Sequence, residues 1–211
     1  MREYRTPKAP FECKSEIKKS IFIAALEHID SEEQASKIIL SARSSHTKAS
    51  HHCYAYIIGP QSAIARSSDD GEPQGTAGKP ILEAMRMANL GFSCLVVTRY
   101  FGGIKLGAAG LSRAYAASAS QAIKSCELLL MREHIIINAD VAYESLSLAK
   151  RYISQQGCTL LNEQYGQLAS LEIAAANEAA AGAALSYFAG SLKAEAVLAP
   201  CNKYIPISEG A

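Results

Sequence analysis

Two glycine-punctuated stretches hold the side chains best suited to chemistry. S-D-D-G-E-P-Q-G-T-A-G-K-P-I-L runs from Ser68 to Leu82, and V-V-T-R-Y-F-G-G-I-K-L-G-A-A-G-L-S-R-A-Y from Val96 to Tyr115. The first carries Asp69, Asp70, Glu72 and Lys79; the second carries Arg99, Lys105 and Arg113. Glycine takes backbone conformations that other residues resist and lets a ligand approach the main chain. Charged side chains on such loops are more often presented to a partner than buried. The expectation is one working surface in which both loops leave strands at the same sheet end and meet in a cleft.

The second loop, G-G-I-K-L-G-A-A-G, runs into a helical pattern. A helix N-terminus offers unpaired N–H groups and a partial positive charge, which favour phosphate. Arg99, Lys105 and Arg113 would add full charges there, with Gly102, Gly103 and Gly107 allowing close approach. It is not a Walker A loop, because Ala108 and Ala109 stand where Lys and Ser or Thr are needed. The bland alternative is a tight strand-to-helix turn with solvated charges.

In the first loop, Asp69, Asp70 and Glu72 could hold Mg²⁺ or act as acid and base. Adjacent aspartates usually point apart, however, and Asp side chains commonly satisfy N–H groups in turns and at helix starts. Capping, with ion pairing to Lys79 or Arg99, is the expected role. His46, His51, His52 and Cys53 do not have a recognised metal spacing, so neither a metal nor another cofactor is expected. His51 is expected at a strand edge touching the glycine loops. Cys53 and Cys94 lie in apolar runs and read as inert core residues. Tyr54, Tyr56, Tyr100 and Tyr115 could stack on bases, but tyrosines near strands more often pack.

The elements that position these loops follow from periodicity. After a polar lead-in, Ser20 to Leu26 reads as a strand. Ser31 with Gln34 makes a capping box before the apolar stripe Ala35, Ile38, Ile39 and Ala42. Cys53 to Ile58 reads as a strand closed by Gly59-Pro60, and a short strand covers Ala63 to Arg66. A helix begins between Thr76 and Pro80 and runs to about Leu90, where Gly91 stops it. Cys94 to Tyr100 reads as a buried strand, and a small-residue helix covers Ala108 to Lys124. Beyond Leu128-Leu129-Leu130 the order is strand 135–141, helix 146–156, strands 158–164 and 168–174 about Gly166, helix 178–188 and strand 193–198. That β-α-β-β-α-β order predicts a ferredoxin-like unit. The expected division is 1–130 and 131–211.

Composition sets outer limits. A chain of 211 residues, 49% hydrophobic and 19% charged, is ordered and long enough for two domains. A net charge of +1 excludes polyanion binding by bulk electrostatics. The charge is uneven: residues 1–130 hold 16 Lys and Arg against 12 Asp and Glu, and residues 131–211 hold 5 against 8. An anionic partner should therefore meet the N-terminal part. The six cysteines are scattered without a C-x-x-C pair, so no disulfide framework is expected. The N-terminal residues lead into no signal-peptide core, and no apolar run approaches the roughly 20 residues that span a bilayer. A cytoplasmic protein with reduced thiols and no membrane contact is expected.

S-D-D-G-E-P-x-G-T-A-G-x-P-I-L followed by V-T-R-Y-F-G-G-I-K-L-G resembles the signature of the YigZ/IMPACT family. K-K-S-x-F-I-A at Lys18 to Ala24 and H-H-C-Y-A-Y at His51 to Tyr56 are similar to that family's other blocks. Ile21 stands where the family usually has Arg, removing a cation. Ala108-Ala109 stands where Thr-Gly is usual, removing a glycine. The resemblance implies an α+β protein of two domains. The first would be akin to domain IV of elongation factor G, and the second, ferredoxin-like, akin to its domain V. It also implies contact with the ribosome or a structured RNA. Eukaryotic members reach a kinase co-activator through an additional RWD domain, for which these 211 residues leave no room, so that partner is not carried over.

Three functions follow as expectations. The first is a non-enzymatic, translation-linked regulator binding RNA or ribosome through Arg99, Gly102, Gly103, Lys105, Gly107 and Arg113. In it His51, Asp69, Asp70, Gly71, Glu72 and Lys79 form a supporting loop. The second is a hydrolase or phosphoryl-handling enzyme using Asp69, Asp70 and Glu72 with Mg²⁺. The third is a protein-binding module without nucleic acid.

Overall fold

The computed structural model describes residues 2–60, 63–199 and 201–207. The elements run β1 (Glu3–Pro7), β2 (Phe11–Ile17), β3 (Ser20–His28), α1 (Glu32–Ser45), β4 (His51–Ile58), β5 (Ile64–Ser68), α2 (Gly78–Met87), β6 (Ser93–Tyr100) and α3 (Ala108–Ser125). They continue with β7 (Leu128–Val141), α4 (Leu146–Gln155), β8 (Cys158–Tyr165), β9 (Ala169–Ala175), α5 (Glu178–Gly190), β10 (Glu195–Leu198) and β11 (Lys203–Ile207). The fold is mixed α+β. Its contacts form two units, residues 4–130 and residues 2–3 with 131–207. β7 is continuous through that division. Among the described residues no helix is long and apolar enough to cross a membrane.

In the unit of residues 4–130, five strands form an antiparallel sheet in the order β2-β3-β6-β4-β5. Side chains alternate between its faces. Phe22, Leu26, Cys53, Ile57, Leu95 and Val97 face one core with α2 and α3. Cys94 and Val96, with Tyr54 and Tyr56, pack in a second core with Ala35 and Ile39 of α1. Helices on both faces explain why β6, in the middle, reads as a nearly unbroken apolar run. α3 buries Ala114, Ser118, Ala119 and Ala122, whose small side chains let the helix lie close.

Ser31 caps α1 by accepting from the Gln34 N–H (3.3 Å). The Gln34 carboxamide in turn accepts from the Asp30 N–H at 2.7 Å, one residue further back than a simple capping box reaches. The segment before Ser20 differs from the expected polar lead-in: it contains β1 and β2. β2 is an edge strand with Glu12, Lys14 and Glu16 exposed, so it lacks an apolar signature.

Strand register gathers the functional loops. Ile17 pairs with Ser20, Phe22 with Arg99, His51 with Arg99, and Tyr54 with Ser68. One end of the sheet therefore holds the β2–β3 turn, the start of β4 and the ends of β5 and β6. Both glycine loops leave from this end.

In the other unit, β10, β7, β9 and β8 are successive antiparallel neighbours. β11 also pairs with β7. Ile137, Val141, Leu171 and Ile173 form a core with Ala149 and Ile153 of α4 and with Ala184 and Phe188 of α5. Asn177 caps α5 by accepting from the Ala180 N–H (2.9 Å).

Candidate functional site

The first glycine loop is organised by Asp69. Its carboxylate accepts from the N–H groups of Gly75 (2.8 Å), Ala77 (2.9 Å) and Gly78 (2.9 Å). The start of α2 has no cap from its own N-cap side chain, so this aspartate, outside the helix, satisfies those donors. Burial alone would push the Asp69 carboxyl up, but the three N–H donors outweigh it and hold it below the usual carboxylate range. A depressed folded-state value gives stability that is present above about pH 4 and lost as pH falls through the folded value. Asp69→Asn keeps one acceptor oxygen but turns an amide nitrogen toward a main-chain N–H, and should lower the urea midpoint at neutral pH by the equivalent of about 1 kcal/mol. The gap from the native protein should close on acidification, and a gap independent of pH would contradict this role.

Asp70 adopts a positive φ of 43° beside Gly71. One of its oxygens accepts from Arg43 of α1 (2.7 Å), the other from the His52 N–H (2.6 Å). Its carbonyl lies 2.8 Å from His51 Nδ1, so His51 does touch this loop. The His52 ring is held below its ordinary value chiefly by burial. It lies 3.1 Å from Thr98 Oγ1.

Glu72 turns inward. Its Oε1 accepts from Arg99 Nη1 (2.7 Å) and from the Tyr115 hydroxyl (2.8 Å), while His51 Nε2 stands 3.9 Å away. Glu72 is 8% exposed and Arg99 5%. This pair joins the two sequence stretches, because Arg99 and Tyr115 belong to the second. Cys53 completes the network: its thiol donates to the Asp69 carbonyl (3.0 Å) and lies 3.3 Å from the Tyr115 oxygen. Burial pushes the Cys53 thiol up to about 12, which leaves it protonated and unreactive.

The second loop opens on Phe101. Its N–H donates to Ser50 Oγ (3.3 Å), and the Gly102 N–H donates to Ser20 Oγ (3.2 Å). A Cβ on Gly102 would fall on the main chain of Lys19 and Ser20, so the loop lies directly against the β2–β3 turn. Gly107 precedes α3 at φ 70°, and no side chain caps the helix there. Lys105 and Arg113 are exposed, and the Arg113 Nε donates back to the Ala109 carbonyl (3.2 Å).

The placement sorts the expected residues. Arg99 is buried and neutralised by Glu72, which differs from the exposed phosphate contact expected of it. Lys79 is exposed at the first turn of α2 and makes no ion pair among the described residues. The three carboxylates reach three separate sets of partners. Among the described residues no group of three or more His, Cys, Asp or Glu side chains is placed to hold a metal ion.

Other members of the site emerge only from the structure: Arg43, Cys53 and Tyr115 in the network, and Lys18 and Lys19 at the surface. Lys18 and Lys19 form the two-residue β2–β3 turn, with φ of 48° and 66°. Such turns favour Asn-Gly or Gly-Gly, and holding two lysines there costs energy that non-glycine residues seldom bear without a role. Both are exposed. The K-K-S at Lys18 to Ser20 is the signal that could have pointed to them.

Comparison with known proteins agrees with this arrangement of motifs. The family model of the Impact N-terminal domain matches residues 18–123. IMPACT family member YigZ of Escherichia coli (strain K12) is 36% identical over 202 residues, covering 93% of this chain and 99% of that protein. IMPACT family member YvyE of Bacillus subtilis (strain 168) is 36% identical over 172 residues, covering 82% of this chain and 79% of that one. The crystal structure of a hypothetical protein matches with a TM-score of 0.62 at 31% identity, covering 99% of both chains. The chain belongs to the IMPACT family.

Proposed function

We propose that the chain is a non-enzymatic, translation-linked regulator that binds RNA or ribosome through the loop end of its five-stranded sheet. One observation carries the reading: at this end the three acids of the first glycine loop are engaged while the lysines make no ion pair among the described residues. Glu16 of β2 is an exposed acid near the turn. Asp69, Asp70 and Glu72 are held by main-chain donors, Arg43 and Arg99. Lys18, Lys19, Lys105 and Arg113 are exposed and make no ion pair among the described residues. The start of α3, which follows Lys105 on the same loop and has no side-chain cap, adds its N–H groups. Arg99 acts as a positioning residue that holds Glu72 and Phe101. The division of labour supports phosphate binding and disfavours the Mg²⁺ hydrolase, whose carboxylates would have to converge on one ion.

Family membership supports the link to translation, and with it a first domain akin to domain IV of elongation factor G. The order β10-β7-β9-β8 supports a ferredoxin-like second domain akin to domain V. As a test, the native protein is sedimented with ribosomes over a series of salt concentrations. It should travel with them at low salt and be stripped as salt rises. Failure to sediment with them at any salt contradicts the ribosome reading and favours a free protein partner.

A further inference from the structure

We propose that Phe101 is a stacking platform for an unpaired nucleobase, so that the RNA recognised at this end is single-stranded or looped and not duplex. The inference rests on the RNA reading above and narrows its ligand class. Phe101 is 51% exposed at the entry to the second glycine loop. Single exposed apolar side chains are common on monomers and by themselves mean little. Phe101 differs in its support. The Arg99 guanidinium lies 5.5 Å from its ring centroid, and the same guanidinium lies 5.7 Å from the ring of Phe22 in the core. Arg99 is in turn fixed by Glu72, and the Phe101 N–H is tied to Ser50. The ring is therefore presented on a buried, charged base and loses little freedom when something lies on it.

Its surroundings complete the case. The other exposed large aromatics, Tyr143 and Tyr165, are stacked on each other, 6.3 Å between centroids. No aromatic ring among the described residues packs on Phe101 apart from the cation contact. Ile104, 41% exposed, follows it on the loop, and Lys105 comes next. Gly102 lies against the turn of Lys18 and Lys19. An exposed ring whose own loop carries Lys105, and whose neighbour Gly102 packs on the Lys18–Lys19 turn, is complementary to a nucleotide with a free base and flanking phosphates. An aromatic ring stacks on any exposed base with little regard to sequence, whereas bases inside a duplex already stack on one another and offer no free face.

The test uses the intact chain, a labelled oligouridine and a duplex RNA of equal length. Native protein should bind oligouridine more tightly than duplex. Phe101→Ala should weaken oligouridine binding about tenfold and leave duplex binding within about twofold. Because the chain has no Trp, Phe101→Trp introduces a single indole. Its fluorescence should be quenched by oligouridine and not by duplex, a readout that does not depend on Phe101→Ala folding normally. Native-like oligouridine binding by both variants with no quench, while Lys105→Ala still weakens binding, would overturn the stacking role and leave the RNA reading standing. Equal or tighter binding of duplex would also overturn it. Binding of neither RNA by the native protein would defeat the RNA reading itself, and this inference with it.

Discussion

Glu72→Ala should cost the N-terminal unit about 3–5 kcal/mol, the usual loss when one partner of a buried ion pair is removed. Arg99 is 5% exposed and its Nε already lacks a hydrogen-bond partner. Without Glu72 the guanidinium would keep its two ring contacts but only one long hydrogen bond, to Ser20 Oγ (3.4 Å), and the Tyr115 hydroxyl would lose its carboxylate acceptor. Most of the loss comes from leaving a cation desolvated and uncompensated, which costs well above the roughly 1 kcal/mol of a neutral hydrogen bond. Glu72→Gln should fall between, because its amide oxygen still serves Tyr115 but carries no charge. Urea titrations should show the midpoint fall with little change in slope. A loss below about 1 kcal/mol for the alanine variant would mean that Arg99 finds water or another acceptor.

Gly102→Ala should cost about 3 kcal/mol, the upper end of what overpacking usually does. The atoms that a Cβ would meet are the Lys19 carbonyl and the Ser20 nitrogen. Main chain cannot rotate away as a side chain can, so the loop or the β2–β3 turn would have to move. Gly103 is the internal control: its φ of 82° strains any other residue, but nothing lies within 4 Å of its Cβ position. Gly103→Ala should therefore cost only about 1 kcal/mol. Because Gly102 sets Lys19 beside Phe101, its substitution should also weaken RNA binding under conditions where the variant is fully folded. Equal losses for the two glycines, measured by thermal or urea unfolding, would show that backbone strain and not close approach governs this loop.

These two residues also mark where the sequence is readable and where it is not. Ser31 and Gln34 announce α1 because capping is a local device with a fixed spacing. β6 and α3 are legible because burial on both faces and small-residue packing leave compositional traces. β2 leaves none, since an edge strand can be half polar, and its hairpin with β3 turns on two lysines where glycine or asparagine is the familiar signal. The site is partly legible in the same sense. Asp69, Asp70 and Glu72 stand out by type, and a pairing with Lys79 or Arg99 follows from charge. Local spacing does not distinguish between those two cations: Arg99 lies beneath the loop through the register of β4 and β6, while Lys79 faces outward on α2. Arg43 is further still from inference, because it reaches Asp70 from a helix packed on the opposite sheet face.

The most direct test of the account is a titration of labelled single-stranded RNA with native protein and Lys105→Ala, over a series of salt concentrations and with EDTA present throughout. Each phosphate contact made by a lysine releases condensed counterion, so native affinity should fall linearly on logarithmic axes as salt rises. Lys105→Ala should bind more weakly to every sequence and flatten that slope by roughly one unit. EDTA should change neither curve. Binding that is insensitive to salt, or that vanishes with EDTA, would contradict a metal-free basic interface at the loop end of the sheet.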